Sequence, residues 1–246
     1  MNMDEKPSYF DQSYQIKRQD WSAKMCRGLC SAVLKILYDI EYKNIDRLKQ
    51  LEDKGFVMLP KHQSWLDIPL EGMLLKEAFD RCGNYIMKNS LPKWIFEPLG
   101  GISIIREKDM KNLVRLYMRE YAISSPDMND TEIKRKAFKE AVKEANARKE
   151  RVYNYEIPNL LARNEIIVAH PEGTRYFKQL VKLEPGNINK LLKVQKQIGQ
   201  QITFVPLEIN YEKSRIILNV KNPIQVKDND LETLMKHLTH EVELWC

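Results

Sequence analysis

Long uncharged stretches are missing from this 246-residue chain. The longest segment without Lys, Arg, Asp or Glu is QIGQQITFVPL at 197–207, which has eleven residues and is partly polar. Because a membrane-spanning helix needs about 20 mostly apolar residues, the sequence predicts no such helix. The N-terminal MNMDEKPSYFDQ is polar and lacks the apolar block of a secretory signal. With 43% hydrophobic and 30% charged residues, the chain is expected to be a soluble globular protein.

Cysteine is also scarce, with four residues at Cys26, Cys30, Cys82 and Cys246. Cys26 and Cys30 are four apart and would share a helix face, which could in principle hold a metal ion. No His or Cys follows at ligand spacing, so ordinary buried thiols are the simpler interpretation and no metal site is predicted. A reducing cytoplasm is the compartment that this cysteine content favours.

Acidic residues are outnumbered, 34 against 40 Lys and Arg, which gives a formal net charge of +6 and an isoelectric point near 9.0. Such a surplus attracts an anionic partner: nucleic acid, a phosphorylated small molecule or an acidic bilayer surface. Charge alone does not choose among the three. The chain shows no aromatic stacking platform and no known nucleic-acid-binding motif, so we expect no nucleic-acid partner.

Short apolar strands alternate with helices along the chain. Strands are predicted at 55–60, 84–88, 101–106, 165–170, 202–209 and 215–220. Helices are predicted at 21–52, 64–81, 107–120, 131–151, 187–198 and about 230–245, with a short one within LPKWIFEPL. This alternation predicts an α/β fold with a largely parallel central sheet flanked by helices. In such sheets, functional loops follow the carboxyl ends of the strands.

The loop after the first strand contains HQSWLD, His62 to Asp67. One interpretation is structural, since Ser64 and Asp67 have the spacing of a capping box at the start of a helix. The other is catalytic. If His62 lies before the helix and the chain turns, Asp67 can orient the imidazole while its other nitrogen takes a proton from a substrate hydroxyl. The sequence around this loop leaves both interpretations open.

Two further stretches stand at predicted strand ends. PEGTR at 171–175 contains Gly173, which allows close backbone approach, the hydroxyl of Thr174 and the guanidinium of Arg175. GISIIR places Arg106 at the end of another strand. A plain β-turn and a solvated arginine are the structural alternatives. Together with His62 and its orienting acid, these groups suit acyl transfer to the hydroxyl of a phosphorylated acceptor.

These blocks resemble the glycerolipid acyltransferase family, most closely its 1-acyl-glycerol-3-phosphate (lysophosphatidate) acyltransferases. The family pattern is a His and an Asp separated by four residues, then a glycine, a hydrophobic strand and an arginine, then PEGTR, and finally a proline in a hydrophobic strand. The chain carries all four in order. They are HQSWLD, GGISIIR (100–106), PEGTR and FVPLEI, which contains Pro206.

The resemblance implies a role for each matching residue. His62 would be the general base that activates the acceptor hydroxyl for attack on an acyl thioester, and Asp67 would orient it. The acceptor's glycerol phosphate would be bound by Arg106, Glu172, Gly173 and Arg175, with Lys88 nearby and Thr174 in the same loop. Pro206 would be structural or help to form the acyl-donor site. The donor would be acyl-coenzyme A or acyl carrier protein, with no cofactor or metal.

The same resemblance makes residues 107–163 a helical insertion within an acyltransferase domain at 53–246, preceded by an N-terminal helical segment at 1–52. A lipid acceptor would place the protein in the cytoplasm, peripherally on the cytoplasmic membrane face. The stripe of Trp21, Met25 and Leu29 could lie in a bilayer interface, although packing on the core is the simpler expectation. The basic helix at 131–151 could touch anionic headgroups or be solvated. A non-catalytic lipid- or phosphate-binding module is the rival to an enzyme.

Overall fold

The computed structural model of the protein describes residues 15–88, 92–105, 109–227, 230–243 and 245, except for the side chain of Lys93. The helices are α1 (Asp20–Leu37), α2 (Asp46–Lys49), α3 (Asp67–Phe79), α4 (Lys93–Phe96), α5 (Met110–Ser124), α6 (Asp130–Arg151), α7 (Ile157–Leu161), α8 (Pro185–Ile198) and α9 (Leu231–Glu241). A π-helical turn, Val152–Glu156, joins α6 to α7. The strands are β1 (Asp39–Lys43), β2 (Phe56–Pro60), β3 (Gly83–Lys88), β4 (Gly101–Ile104), β5 (Ile166–Val168), β6 (Phe204–Tyr211) and β7 (Arg215–Val220).

These strands form one sheet in the order β1-β7-β6-β2-β5-β3-β4. Neighbouring strands are parallel except for β6 and β7, which are antiparallel. β2 lies at the centre, between β6 and β5, and β5 in turn pairs with β3. The predicted α/β fold with a largely parallel sheet flanked by helices is confirmed.

Helices cover both faces of the sheet, and β2 shows how the core divides. Val57 and Leu59 point into a hydrophobic cluster with α7, α8 and α9. Phe56 and Met58 point the other way, into a cluster with α1 and α3. A strand buried on both faces is apolar along its whole length, which is why its sequence predicts it well. Because β2, β5, β3 and β4 are parallel, the loops that follow them gather at one edge.

The prediction of an uninterrupted helix over 21–52 was wrong. α1 ends at Leu37, and Asp39–Lys43 forms β1, which pairs in parallel with β7. Ile40 lies at helical spacing from Leu37, so the local pattern continues through a segment that is extended. The strand depends on backbone pairing with β7, about 175 residues away in the chain, and on the packing of Ile40 and Tyr42 on the core. The N-terminal segment is therefore not helical throughout.

The expectation that the apolar stripe of α1 packs on the core was also wrong. Trp21, Met25 and Leu29 are 57–68% exposed. The buried face of α1 is the opposite one and contains Arg27. The Arg27 guanidinium donates at 2.5 Å to the carboxylate of Asp80, the residue that follows α3. That ion pair and the small residues beside it orient the helix, so its apolar stripe faces outward.

Helices α5, α6 and α7 and the π-helical turn make up most of residues 110–161, with a non-helical connection at 125–129. α6 begins with a capping box, in which the Asn129 side chain accepts from the Glu132 N–H. Its buried residues recur every four positions at Ile133, Ala137, Ala141 and Ala145, and it packs along α5. The boundaries of the insertion and of the domains stay predictions. Within the described ranges, no helix is long and apolar enough to cross a membrane.

Candidate functional site

The loops after β2 and β5 meet at the carboxyl edge of the sheet. The Tyr176 N–H donates to the His62 carbonyl at 3.0 Å, which ties the loop after β5 to the loop after β2. A cavity of about 380 Å³ opens where they meet. Its wall includes His62, Lys88, Gly173, Thr174 and Arg175. The structure thus gathers five of the predicted site residues around one space.

His62 and Asp67 are in direct contact. The Nδ1 atom of His62 lies 2.8 Å from Oδ2 of Asp67. The contact is possible because His62 precedes the helix and the chain turns before α3 begins at Asp67. The hydroxyl of Tyr211, on β6, donates to Oδ1 of the same carboxylate at 2.5 Å. Asp67 is therefore held from two sides, and it holds the imidazole in turn.

The capping role of Asp67 coexists with this contact. Its Oδ2 atom accepts from the backbone N–H groups of Gln63 at 2.7 Å and Ser64 at 2.8 Å. The Ser64 hydroxyl accepts from the Leu66 N–H at 3.2 Å and not from the Asp67 N–H, so only one half of the predicted capping box forms. The two interpretations of HQSWLD are not exclusive, since one carboxylate binds the turn and orients the histidine.

These contacts set the ionisation of the pair. Burial alone would raise the pKa of Asp67, but hydrogen bonds from His62, Tyr211 and the two backbone N–H groups lower it below its usual range. Burial and the positive charges of His170 and Arg175 lower the pKa of His62 to about 4, against the opposite influence of Asp67. At neutral pH the imidazole is neutral. With Nδ1–H donating to the carboxylate, Nε2 is left as a proton acceptor.

Cationic groups flank an aromatic ring in the same cavity wall. The Arg175 guanidinium lies 3.4 Å from the ring centroid of Trp65, and the Lys88 ammonium lies 6.0 Å from it. Stacking on an aromatic face orients a guanidinium without consuming its hydrogen-bond donors. This wall is suited to an anion. Arg106, the third cation that the sequence predicts, lies outside the described residues.

The PEGTR loop makes a tight turn at Gly173. Its φ of 63° lies in the left-handed region that favours glycine. The Gly173 N–H donates to the His170 carbonyl at 3.0 Å, which closes the turn. This turn brings Thr174 and Arg175 to the cavity wall.

Glu172 occupies a different environment from its neighbours. Its side chain is fully buried, and Oε1 accepts from the Trp245 indole N–H at 2.6 Å and from the His62 N–H at 3.3 Å. The ammonium of Lys61, also fully buried, lies 3.2 Å from the same oxygen. The carboxylate thus lies beneath the loop, bound to protein groups. Its predicted role in acceptor binding stays a prediction.

Pro206 lies within β6, paired with Leu59 of β2. Its carbonyl accepts from the Lys221 N–H at 3.0 Å. Proline has no backbone N–H, so Pro206 cannot donate a backbone hydrogen bond to a neighbouring strand. Its predicted part in a donor site stays a prediction.

Several residues of the site were missed from the sequence. Tyr211 has no local signal, because it reaches Asp67 from a strand 144 residues away. Trp65 lies between His62 and Asp67 in the sequence, which did not predict its place in the cavity wall. His170 and Glu71, which contact each other, were missed as well. Glu71 had a detectable signal, since it follows Asp67 by one helical turn and so shares its face of α3.

Comparison with known proteins agrees with the family suggested by the motifs. The sequence profile of the family described as Acyltransferase matches residues 39–210, more than two thirds of the chain. No curated protein matches the chain. One matching solved structure is the 1-acyl-sn-glycerophosphate (LPA) acyltransferase PlsC of Thermotoga maritima, at 15% identity and a TM-score of 0.49, covering 89% of this chain and 75% of that one. By the extent of the profile match, the chain belongs to the acyltransferase family.

Proposed function

We propose that this acyltransferase moves a fatty acyl group from a thioester to the free hydroxyl of lysophosphatidate, forming phosphatidate for phospholipid synthesis. The observation that carries the proposal is one cavity that holds both an oriented neutral histidine, His62, and the cations Lys88 and Arg175. Acyl-coenzyme A and acyl carrier protein are the candidate donors. Glycerol-3-phosphate and other lysophospholipids are the alternative acceptors.

The geometry supports a single-displacement reaction. Nε2 of His62 takes the proton of the acceptor hydroxyl as its oxygen attacks the thioester carbonyl. The tetrahedral intermediate then collapses and the C–S bond breaks. The imidazolium returns its proton to the departing thiolate, so an ester and a free thiol are formed. Asp67 holds the ring in the required tautomer throughout.

A second cavity offers a place for an acyl chain. It has a volume of about 250 Å³, lies against α1, α3 and β3, and shares Trp65, Ile68 and Met87 with the first cavity. Its wall is predominantly apolar, with Tyr85 and Leu99 among the residues that line it. An alkyl chain that leaves the reacting carbonyl next to His62 would be removed from water here.

Replacing Arg175 by alanine is expected to raise the KM for lysophosphatidate by about 10- to 150-fold, because a hydrogen bond to a charged group is worth about 1.5–3 kcal/mol. The acyl-thioester KM should change far less. The matched control is Arg135→Ala, which removes an exposed arginine from α6. Initial rates at varied acceptor concentration check this prediction. An unchanged acceptor KM would show that Arg175 does not bind the acceptor.

We also propose that the protein binds the membrane surface through the exposed face of α1. Besides Trp21, Met25 and Leu29, this face exposes Val33 and Ile36. The helix borders the second cavity through Cys26 and Cys30 on its flank. An apolar face with basic residues beside it is typical of an interfacial helix, and here it would bring the acyl-chain cavity to the bilayer.

Introducing a charge on this face, as in Leu29→Glu, is expected to reduce co-flotation with anionic liposomes about tenfold, because a buried leucine contributes roughly 1.5–3 kcal/mol. Ile123→Glu is the matched control, since Ile123 is 84% exposed on α5. Equal losses in both variants would exclude a specific role for α1. Absence of salt-sensitive flotation in the wild type would end the membrane proposal.

The experiment that tests the function is thiol release from acyl-coenzyme A or acyl carrier protein, with and without acceptor. Lysophosphatidate, glycerol-3-phosphate and an uncharged lysolipid are compared side by side. Acceptor-dependent release with lysophosphatidate as the best substrate supports the proposal. A preference for glycerol-3-phosphate would replace the acceptor. No release with any pair would favour a binding module without turnover.

A further inference from the structure

A second carboxylate–imidazole pair is packed directly against the first. Nε2 of His170 lies 2.9 Å from Oε1 of Glu71. Glu71 is fully buried and follows Asp67 by one turn of α3. The rings of His170 and His62 are stacked, with centroids 4.0 Å apart and planes inclined by 29°. Two histidines from different loops are thus held face to face by two acids from one helix.

The surroundings of His170 favour its charged form. Burial would lower the pKa of His170, but the Glu71 carboxylate beside it and the Glu172 and Asp67 carboxylates beyond raise it above its usual value. The titratable and charged groups that face this pair from the packed elements are His62, Asp67, Glu71, Tyr85, Glu172, Arg175 and Tyr211. The carboxylates of Glu71, Glu172 and Asp67 all favour the charged form of His170. Burial raises the pKa of Glu71, and the contact with His170 opposes that rise, while the Lys61 ammonium is paired with Glu172.

His62 has the opposite environment. Its ring contacts the carboxylate of Asp67, and it has the His170 ring on its face and Arg175 nearby. A positive charge on one ring disfavours a second on the other strongly, because stacked rings with centroids 4.0 Å apart leave no room for a water molecule to screen them. The two imidazoles therefore differ in what they can do, although they touch.

We propose that His170, held as an imidazolium by Glu71, is a positioning residue for His62: it fixes the plane of the base and keeps the base unprotonated between turnovers. The proposal rests on the acyl-transfer function of His62 proposed above. It adds a second consequence for the reaction. When His62 has taken the proton of the acceptor hydroxyl, the neighbouring cation makes it a stronger acid, so it returns that proton more readily to the departing thiolate.

His170→Phe separates the two parts of this role, because phenylalanine keeps a flat ring on His62 but carries no charge. Glu71→Gln keeps the size of the side chain and removes the anion that holds His170 charged. The control is His237→Phe, which makes the same change at an exposed position of α9. The chain has four histidines, so each can be assigned in labelled protein.

The direct measurement is an NMR titration of the His62 ring in the wild type and in each variant. In the wild type, His62 is expected to titrate near its lowered pKa of about 4. In His170→Phe and in Glu71→Gln, its midpoint is expected to rise by about one pH unit or more, and His237→Phe should leave it unchanged. The acidic limb of kcat/KM should move upward by the same interval, with the acceptor KM within about twofold of the wild type.

An unchanged His62 midpoint in folded His170→Phe would overturn the proposal. So would a raised acceptor KM without a shift of the pH profile, which would mean that His170 touches the substrate. If His170→Phe does not fold, Glu71→Gln gives the same decision. Because the titration needs no substrate, it still decides when thiol release fails in every protein, a result that would contradict only the proposed function.

Discussion

Replacing His62 by alanine is expected to abolish measurable acyl transfer, a loss of at least about 10²–10⁴-fold in kcat/KM. The imidazole lies in the cavity, and Asp67 holds its tautomer through a 2.8 Å contact. Without it, nothing among the described groups takes its place as an oriented neutral base. The measurement is thiol release from the acyl donor that supports wild-type turnover, at saturating lysophosphatidate.

The control for this variant is His237→Ala, which removes an exposed histidine from α9 and should leave the rate unchanged. Asp67→Asn is the informative companion, because the amide can no longer hold the same tautomer. The rate of acyl transfer should fall in Asp67→Asn, although asparagine retains the shape of the aspartate side chain. A folded His62→Ala protein with normal activity would contradict the mechanism, and circular dichroism with a thermal melt establishes that the fold is intact.

Replacing Glu172 by alanine is expected to destabilise the protein by about 3–5 kcal/mol, because it leaves a buried charge without its counter-ion. Lys61 and Glu172 are both fully buried, and their charged atoms lie 3.2 Å apart. The same carboxylate accepts from the Trp245 indole, so its loss also removes that hydrogen bond. Urea unfolding of both proteins measures the difference.

Two comparisons test the cause of this loss. Replacing both members, as in Lys61→Met with Glu172→Leu, should recover much of the stability, because an apolar pair has no charge to desolvate. Asp46→Ala, which breaks the exposed pair between Asp46 and Lys49, should cost less than about 1 kcal/mol. A Glu172→Ala protein of wild-type stability but with a raised acceptor KM would instead support the role in acceptor binding that the sequence implies.

The strands show which parts of the fold are predictable. β2, β5 and β6 are buried on both faces, so their apolar runs stand out from the charged helices around them. β1 lies at the edge, has no fully buried residue and follows the apolar spacing of α1. Its pairing with β7 is a long-range contact, which the local periodicity of the sequence cannot predict.

The prediction of how α1 is oriented was wrong for a related reason. Periodicity identifies a stripe of apolar residues but not what the stripe meets. In this protein, Arg27 on the opposite face reaches the carboxylate of Asp80 and the carbonyl of Arg81. Those contacts require α3 to end next to α1, and they leave the apolar stripe exposed.

The site divides in the same way. The His62–Asp67 contact spans five residues across one turn, and the order of the four blocks was sufficient to indicate the family before any coordinates. Glu172, by contrast, belongs to the same motif as Arg175 but lies on the other side of its loop. The motif names both residues and does not say which of them faces the cavity.

The sequence by itself determined the family, the α/β class and the contact between His62 and Asp67, because each of these is encoded in local spacing or in the order of short motifs. Only the tertiary structure decided that Tyr211 supports Asp67, that Lys61 and Glu172 lie beneath the site, and that His170 and Glu71 form a second pair against the first. Those contacts join residues from about 100 to 150 positions apart. They exist only because parallel strands bring their loops to one edge, where burial removes the water that would otherwise screen the charges.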